Sequence, residues 1–328
     1  MNFITGDVRW GIIGCGDVCE VKSGPAFSKV DNSSLQVVMR RDLEKAKDYA
    51  HRHHVPKFYS DAGDLINDPD VNAVYIATPP AQHEEYAVQS MAAGKPVYIE
   101  KPLALNSESA IRIKEASLKY NVRATGAYYR RELALFRKVR SLLNENAIGE
   151  VKVILLRTLQ SSAKNIITQT PDNWRVNPTI SGGGLFHDLA PHQLDLMYYF
   201  FGKPSELDAR SLTQEKNSLV PNLTSFDALF PNDVLFKGIW AFNVDERAVT
   251  DSCEIIGDRG MLSFSFFSGA RLEIKSEKST EVLEFINPPH VQQPMIEKVV
   301  KYFKGEGENP CSVDDALMSM RMLDAANR

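Results

Sequence analysis

The first third of the chain alternates short apolar runs with stretches of helical periodicity. The apolar runs read VRWGIIG, LQVVM, AVYIAT, PVYIE and VRATGAY. Nearly continuous apolar residues are typical of strands whose two faces are both covered, as in a parallel sheet. Helical spacing occurs between them at 43–54, 82–93 and 107–120, and Asn106 and Ser107 are candidate caps of the last helix. This alternation predicts βαβ units and a doubly wound α/β sheet.

The pattern changes after about residue 127. Helices are predicted over 131–145 and near 185–201, and several runs between 207 and 285 alternate apolar and polar positions. A period of two indicates half-buried strands, as in an antiparallel sheet that carries helices on one face. Residues 295–328 have a helical pattern again. We expect this last segment to pack near the first domain.

These two patterns predict two domains. Residues 1–126 form a doubly wound domain, and residues 127–328 form an α+β domain built on a mainly antiparallel open sheet. The length of 328 residues agrees with this division. One hydrophobic core seldom serves so long a chain, and about 150 residues per domain is a common average.

Composition and charge narrow the functional classes. The chain is 43% hydrophobic and 24% charged, with a net charge of −4. This balance is ordinary for a soluble enzyme and gives no electrostatic footprint for nucleic acid or a membrane surface. We see neither a secretory leader nor an apolar run of about 18 residues that could span a bilayer. The four cysteines lack paired C-x-x-C spacing, which favours free thiols over a metal site and predicts a cytoplasmic protein.

A glycine-rich turn follows the first predicted strand. Gly14 and Gly16 form a G-x-G pattern continued by Asp17 and Val18, with Cys19 where a third glycine or alanine is usual. Such glycines permit positive φ and let the backbone approach a pyrophosphate, whose charge the helix N-terminus favours. At the head of a βα array, the turn predicts a Rossmann dinucleotide site. A purely structural glycine turn is the alternative, and Cys19 is compatible with it.

Two arginines follow the second predicted strand. NAD-binding sites usually have an acidic residue here for the ribose hydroxyls, but this chain has Arg40 and Arg41. A guanidinium binds a 2′-phosphate through charge-assisted hydrogen bonds of about 1.5–3 kcal/mol each. We therefore expect NADP, with NAD as the second choice; two solvated arginines at a helix start are the alternative. Asp42 is expected to cap the following helix.

Two charges and a proline follow the apolar run PVYI. Glu100, Lys101 and Pro102 would stand at the carboxyl end of a parallel strand, where open α/β sheets bind their ligands. The alternative is that the charges only solvate the strand end, while Pro102 ends the ladder because it lacks an N–H.

A second constellation lies in the segment GGGLFHDLAPHQLD. Asp188 and His192 are four residues apart, so on a helix they share one face. Glycines 182–184 would let the backbone run close to a ligand. Histidine exchanges protons near neutral pH, and a carboxylate one turn away could orient it. The alternatives are a helix N-cap for Asp188 and a core position for His192; His187 is more ambiguous still.

Together, the segments GCGDV, EKPLA and GGGLFHDLAPHQLD resemble the glucose-fructose oxidoreductase/inositol dehydrogenase (Gfo/Idh/MocA) family, and the resemblance covers nearly the whole chain. It implies that the Glu-Lys-Pro strand end borders the nicotinamide and that Lys101 contacts the reacting hydroxyl or carbonyl. Pro102 would fix the turn, with a cis bond as one option. Asp188 and His192 match the family's D-x-x-x-H segment, in which His192 is the proton donor or acceptor.

The resemblance extends to residues outside these segments. Thr78, Pro79 and His83 lie in IATPPAQH, a segment that lines the cofactor in the family. Five further residues resemble substrate-facing positions of the family: Tyr128, Tyr129, Arg130, Trp174 and Arg175. Packing or surface roles are the alternatives for each of them. Cys19 and Arg40 depart from the pattern of the NAD-dependent members.

The sequence therefore predicts an NADP-dependent oxidoreductase that moves a hydride between nicotinamide and a secondary hydroxyl or carbonyl. The substrate would be a sugar, a cyclic polyol or a related metabolite. Two other classes stay open: a glycosidase-type enzyme that retains its nicotinamide, and a non-catalytic regulator that responds to NADP. The resemblance also implies a homodimer or homotetramer that uses the sheet of the second domain.

Overall fold

A computed structural model of the chain describes residues 3–162, 174–216, 218–277 and 279–327. The chain divides into two compact units. The first unit contains Met1–Arg131 and Pro288–Met320, and the second contains Glu132–Asn287 and Arg321–Arg328. The sequence placed one boundary at 126/127, whereas this division falls after Arg131, after Asn287 and again after Met320.

Six parallel strands form the sheet of the first unit. They are β1 (Val8–Ile13), β2 (Ser33–Met39), β3 (Lys57–Tyr59), β4 (Ala73–Ile76), β5 (Val97–Ile99) and β6 (Ala124–Gly126). Their order across the sheet is β3-β2-β1-β4-β5-β6. The order reverses between β1 and β4, and doubly wound sheets bind ligands at the carboxyl side of such a reversal.

An eight-stranded sheet forms the core of the second unit. Its strands are β7 (Val151–Leu159), β8 (Glu206–Leu212), β9 (Leu223–Phe230), β10 (Val234–Ala241), β11 (Thr250–Gly257), β12 (Gly260–Phe264), β13 (Arg271–Ser276) and β14 (Thr280–Glu284). The order is β14-β13-β12-β11-β7-β10-β9-β8. β7 and β10 pair in parallel, and the other neighbours pair antiparallel. The predicted fold class, a parallel sheet followed by a mainly antiparallel one, is confirmed.

The described α-helices agree with most of the sequence predictions. They are α1 (Asp17–Val21), α2 (Leu43–Arg52), α3 (Ala62–Asn67), α4 (His83–Ala92), α5 (Ser107–Tyr120), α6 (Ala134–Asn144), α7 (Pro178–Ser181), α8 (Leu185–Phe201), α9 (Gln293–Lys304) and α10 (Val313–Ala325). The prediction of one helix over 295–328 is wrong. Gly305 adopts a φ of +80° at the end of α9, and α10 begins eight residues later.

Two predicted caps are present at the starts of these helices. The Asp42 carboxylate accepts a hydrogen bond from the Lys45 N–H of α2 at 3.2 Å. The Asn106 side chain accepts one from the Ser109 N–H of α5 at 2.9 Å. Each satisfies a backbone donor that has no partner inside its own helix.

The helix α8 is fixed to the second sheet by polar contacts inside the core. Gln193 is fully buried; its amide nitrogen donates to Thr158 Oγ1 on β7 at 2.7 Å, and its oxygen accepts from Trp240 Nε1 on β10 at 2.6 Å. Because a buried amide is costly unless its partners are in place, these bonds specify how far along the sheet α8 can lie. They therefore also position His192, the preceding residue of the helix.

Within the ranges that the structure describes, no helix combines the length and the apolar character needed to cross a bilayer.

Candidate functional site

The glycine turn after β1 leaves one stretch of backbone open. Gly14 has a φ of +90°, and a Cβ there would lie 2.8 Å from Thr78 Cγ2 and 2.9 Å from the Thr78 nitrogen. Only glycine fits at that position. A Cβ on Gly16 would meet nothing nearer than the Gly14 oxygen at 4.0 Å. Gly14 therefore serves the fold, whereas Gly16 leaves the space that a phosphate group needs for close approach to backbone N–H groups.

Cys19 does not take the place of a third close-approach glycine. It is fully buried in α1, with its Sγ 3.8 Å from the Gly14 oxygen, and its carbonyl accepts a hydrogen bond from Tyr49 Oη at 2.9 Å. A different close approach occurs at Gly24, where a Cβ would collide with Tyr49 Oη and the Cys19 oxygen. The sequence analysis missed Gly24, although the pair Gly24-Pro25 is a visible turn signal.

Arg40 and Arg41 stand at the carboxyl end of β2. Arg40 is half-buried and its Nη1 donates to the Cys15 oxygen at 3.4 Å, while Arg41 is exposed. Asp42 is engaged as the cap of α2, and its bond from the Lys45 N–H lowers the pKa of the carboxyl. Its position as a cap confirms the sequence prediction for Asp42. The positive charge at this strand end therefore comes from two guanidinium groups, and the carboxylate that follows them in sequence is already bound to backbone.

The loop after β4 is tied to the loop after β5 by a buried histidine. The His83 ring places Nε2 2.7 Å from the Thr78 oxygen and Nδ1 3.0 Å from the Pro102 oxygen. Burial lowers the pKa of His83, against the opposing effect of these carbonyls. Pro79, the residue after Thr78, is half-buried. The ring therefore lies inside the protein and sets the spacing of the two loops.

Thr78 adds a second indication of a ligand at this edge. Its Oγ1 is buried and has no hydrogen-bond partner among the described residues. Buried polar atoms are nearly always satisfied, so such a hydroxyl points to a bound ligand or water. Together with the open backbone at Gly16, this hydroxyl suits a ligand at this edge of the sheet. The assignment of Gly14, Gly16, Asp17 and Val18 to a dinucleotide stays a prediction. Among the described residues, no cluster of His, Cys, Asp or Glu could hold a metal ion.

Glu100 is a buried anchor, and the alternative that it solvates the end of β5 is wrong. The side chain is 5% exposed. Its Oε1 accepts hydrogen bonds from Tyr75 Oη and from Gln292 Nε2, the latter at 2.6 Å, and its Oε2 accepts from the Lys101 N–H at 3.1 Å. The Lys101-Pro102 peptide bond is cis, the option that the resemblance named. The carboxylate thus fixes the backbone from which the Lys101 side chain extends.

Gln292 is the residue of this network that the sequence analysis missed. It precedes α9, nearly two hundred positions after Glu100, and is fully buried. Its side-chain oxygen accepts from Tyr98 Oη at 3.1 Å while its nitrogen donates to Glu100. No local pattern marks it, because a glutamine before a helix is ordinary.

Asp188 and His192 lie one turn apart on α8. The helix begins at Leu185, so the alternative that Asp188 is the N-cap is wrong; Gly184, with a φ of +79°, holds that position. The Asp188 Oδ2 accepts from Arg175 Nε at 3.3 Å, and both side chains are about 85% buried, with relative exposures of 14% and 15%. The Arg175 guanidinium lies 4.5 Å above the Trp174 ring. Contacts therefore link Trp174, Arg175 and Asp188, and His192 follows one turn further along the same helix.

His192 is 6% exposed and is flanked by an aromatic ring that the sequence analysis missed. The centroid of the Phe267 ring is 6.1 Å from that of His192, in an edge-to-face arrangement. Phe267 follows β12, far from α8 in sequence. Nothing in its local pattern distinguishes it from the core phenylalanines around it.

The predicted substrate residues of the first unit are largely buried. Tyr128 and Tyr129 are 1% and 5% exposed, and the Arg130 guanidinium lies 5.5 Å from the Tyr129 ring centroid. Their assignment to a substrate stays a prediction. Lys101 is half-buried in the same unit, whereas Trp174, Arg175, Asp188 and His192 belong to the second unit.

His187 has a structural environment. It is 2% exposed, its Nε2 accepts from Asn327 Nδ2 at 3.1 Å, and the same amide donates to the Gly182 oxygen at 3.2 Å. A Cβ on Gly183 would overlap the imidazole ring. Burial lowers the pKa of His187 to about 4, so the ring is neutral at physiological pH. His187 therefore packs the glycine loop before α8.

Two family models match the chain. One, described as an oxidoreductase family with an NAD-binding Rossmann fold, covers residues 8–128; the other, described as the GFO/IDH/MocA C-terminal domain, covers residues 136–263. Among curated proteins, Oxidoreductase P35 of Formosa agariphila is 45% identical over 97% of both chains.

Solved structures share the fold along nearly the whole chain. The aldose-aldose oxidoreductase of Caulobacter crescentus, complexed with glycerol, superposes with a TM-score of 0.86 at 21% identity, covering 98% of this chain and 97% of that one. A levoglucosan dehydrogenase, in complex with NADH and levoglucosan, has a TM-score of 0.85 at 22% identity, covering 98% and 96%.

The two glycines of the turn after β1 make a matched pair. We expect Gly16→Ala to leave the free energy of unfolding within about 0.5 kcal/mol of the native value, because its methyl group meets open space. It should weaken NADPH binding about tenfold, since that space is the approach to the backbone. Gly14→Ala should cost at least about 1 kcal/mol, because its φ is positive. Urea unfolding and fluorescence titration measure both; unchanged NADPH binding by Gly16→Ala would contradict the assignment.

The depressed pKa of His187 predicts a pH-dependent stability. The folded pKa of about 4 lies below the ordinary 6.5, so the unfolded chain binds more protons between these values. The stabilisation is therefore present above pH 6.5 and is lost as the pH falls toward 4, by about 3 kcal/mol in total. Urea unfolding from pH 7.5 to pH 4.5 should show a shallower dependence in His187→Gln. His51→Gln, at an exposed position on α2, is the control; equal slopes in both variants would refute the prediction.

Proposed function

Since this chain belongs to the Gfo/Idh/MocA family of oxidoreductases, we propose that it transfers a hydride between NADP and a secondary hydroxyl or carbonyl of a sugar, cyclic polyol or related metabolite. The observation that carries the proposal is the buried Glu100 carboxylate, which holds the Lys101 N–H at the carboxyl end of β5. A lysine fixed by its backbone at the ligand edge of a doubly wound sheet suits polarisation of a substrate oxygen.

The preference for NADP rests on the charges after β2. Arg40 and Arg41 supply positive groups suited to a 2′-phosphate, and the adjacent Asp42 is already engaged by the Lys45 N–H. An acidic residue free to bind ribose hydroxyls would favour NAD instead. The levoglucosan dehydrogenase binds NADH, but at 22% identity that likeness concerns the fold alone.

The chain's residues divide the chemistry between them. A nicotinamide, when bound, would supply the hydride donor or acceptor. Lys101, at the ligand edge of the first unit, suits polarisation of a substrate oxygen, and His192, on α8 of the second unit, suits exchange of a proton. Asp188 and Arg175, paired at 3.3 Å, orient the histidine and bind a neighbouring hydroxyl. Because the two opposite charges largely compensate each other, neither side chain is an isolated charge in a partly buried position.

The names of similar proteins support a carbohydrate or polyol substrate. They include an aldose-aldose oxidoreductase and a levoglucosan dehydrogenase among the solved structures. A panel of aldoses, cyclic polyols and acyclic polyols, followed by NADPH absorbance in both directions, tests the proposal. Net consumption or formation of NADPH would also separate this activity from a glycosidase that only recycles its nicotinamide.

Substitution of Lys101 tests its role in polarising the substrate oxygen. We expect Lys101→Ala to fold and to bind NADPH within about twofold of the native affinity, while kcat falls about 10²–10⁴-fold, because the oxygen loses its polarising cation. Steady-state kinetics and fluorescence titration measure the two effects separately. Lys95→Ala is the matched control: this lysine of the same unit donates to the Asp68 oxygen at 2.8 Å. Full turnover by Lys101→Ala would exclude the proposed role.

Arginine 40 tests the cofactor preference. Arg40→Asp should weaken NADPH at least about tenfold more than NADH, because it removes a phosphate partner and adds a repelling charge. Binding constants for both nucleotides give the ratio. Lys47→Asp, at an exposed position on α2, changes the net charge equally and should leave the ratio unchanged. An equal loss of both nucleotides would remove Arg40 from phosphate recognition.

A further inference from the structure

We propose that Phe267 forms an aromatic wall beside His192 that selects substrates presenting a ring face of C–H groups, and so favours cyclic sugars and cyclic polyols over acyclic polyols. This inference rests on the proposed function, because it takes His192 to act on the substrate. Its evidence lies wholly in the second unit: how the loop 265–268 is held, which way its two phenylalanines face, and what it shares with α8.

Asp251 on β11 binds three successive backbone N–H groups of the loop 265–268. Its Oδ1 accepts from Phe266 at 3.1 Å, and its Oδ2 accepts from Phe267 at 2.6 Å and from Ser268 at 2.8 Å. Ser265 Oγ donates to the Asp251 backbone oxygen at 2.7 Å. Charge-assisted bonds of this kind are stronger than neutral ones, so the loop is held by more than its sequence neighbours.

The two phenylalanines of the loop have different surroundings. Phe266 is 2% exposed and stacks on Phe136 of α6, with centroids 5.5 Å apart and an interplanar angle of 27°. Phe267 is half-buried, and its ring lies edge-to-face with His192 at an interplanar angle of 65°. The core side chain thus fixes the loop, while the next residue is only partly buried.

One row of the sheet holds both the loop and α8. Thr158 on β7 pairs directly with Trp240 on β10 and with Asp251 on β11, and directly paired residues point to the same face. Thr158 and Trp240 bind Gln193, the neighbour of His192, while Asp251 binds the loop. We call these three residues the anchoring row. Because both attachments share this row, the separation of Phe267 from His192 is set by strand register.

An aromatic wall discriminates by the shape of the ligand. Small-molecule pockets combine apolar and aromatic surface with a small number of polar groups that fix orientation. A ring with several C–H groups on one face can cover an aromatic surface without losing hydroxyl hydration, whereas an acyclic polyol must first be ordered to do so. The wall therefore affects binding of cyclic substrates more than the proton transfer itself.

The test compares KM and kcat for cyclic and acyclic substrates with the full chain and saturating NADP. The probes are aldopyranoses and inositols against acyclic hexitols. We expect Phe267→Leu to raise KM for cyclic substrates about tenfold while changing KM for acyclic ones less than about twofold, with kcat within about threefold of native. Phe267→Tyr, which keeps the aromatic ring, should leave the KM for cyclic substrates near the native value.

The anchor is tested separately from the ring. Asp251→Asn should shift the KM for cyclic substrates in the same direction as Phe267→Leu. The amide has one uncharged acceptor oxygen in place of two charged ones, so it holds the three N–H groups less well. Asp245→Asn is the matched control: this aspartate also accepts from a backbone N–H, that of Arg247 at 3.0 Å, in a different turn of the same unit. Thermal unfolding checks every variant, and if Asp251→Asn does not fold, the Phe267 pair decides alone.

The outcomes separate this inference from the proposed function. If the native protein oxidises cyclic substrates but Phe267→Leu leaves their KM unchanged, or shifts KM equally for both classes, the aromatic wall is refuted and the oxidoreductase proposal stands. Native protein that turns over only acyclic polyols would likewise refute the aromatic wall and leave the oxidoreductase proposal standing. Native protein that turns over no sugar or polyol with either nucleotide would refute the proposed function, and this inference with it.

Discussion

A buried carboxylate at the end of β5 is the constraint on which the ligand edge of the first unit depends. Glu100 is almost fully removed from water, and a buried charge is tolerated only when hydrogen-bond donors surround it. Tyr75 of β4, Gln292 before α9 and the Lys101 N–H provide these donors. The loop that carries Lys101 is therefore positioned by parts of the chain that are nearly two hundred residues apart. Removing one donor would leave charge uncompensated, so the arrangement holds as a set.

The sequence predicted the features of this unit that local pattern determines. Strands buried on both faces read as apolar runs, and the caps Asp42 and Asn106 precede their helices by a fixed offset, so both were predictable. Gln292 was not, because its role is created by the fold. Gly24 is a similar case: it is required by its contact with Tyr49 of α2, a contact that the fold creates and that no local motif marks.

The second unit shows the same limit in a different form. The four-residue spacing of Asp188 and His192 predicted a shared helix face, which α8 provides. The fact that Asp188 is paired with Arg175 depends on a loop whose course no periodicity describes. Phe267 was beyond reach for a further reason: it is adjacent to His192 only because β7, β10 and β11 are in register at the anchoring row. Register is a property of several strands, and one sequence read along its length does not contain it explicitly.

Glu100 and Asp251 use the same device in separate units. Each carboxylate accepts from the backbone of a loop: Glu100 from one N–H group, that of Lys101, and Asp251 from three, including that of Phe267. Because the carboxylate binds the backbone, the side chain of Lys101 or Phe267 can be replaced while the loop keeps its position. This explains why the lysine segment is recognisable as a short motif while the aromatic residue is not. Hydride transfer to carbon needs the same kind of group at the oxygen in every substrate, whereas the surface that surrounds the rest of the molecule must change with its shape. On the proposed function, Lys101 serves the step common to all substrates and Phe267 the shape of one class of them, and only the contacts of this structure point to Phe267.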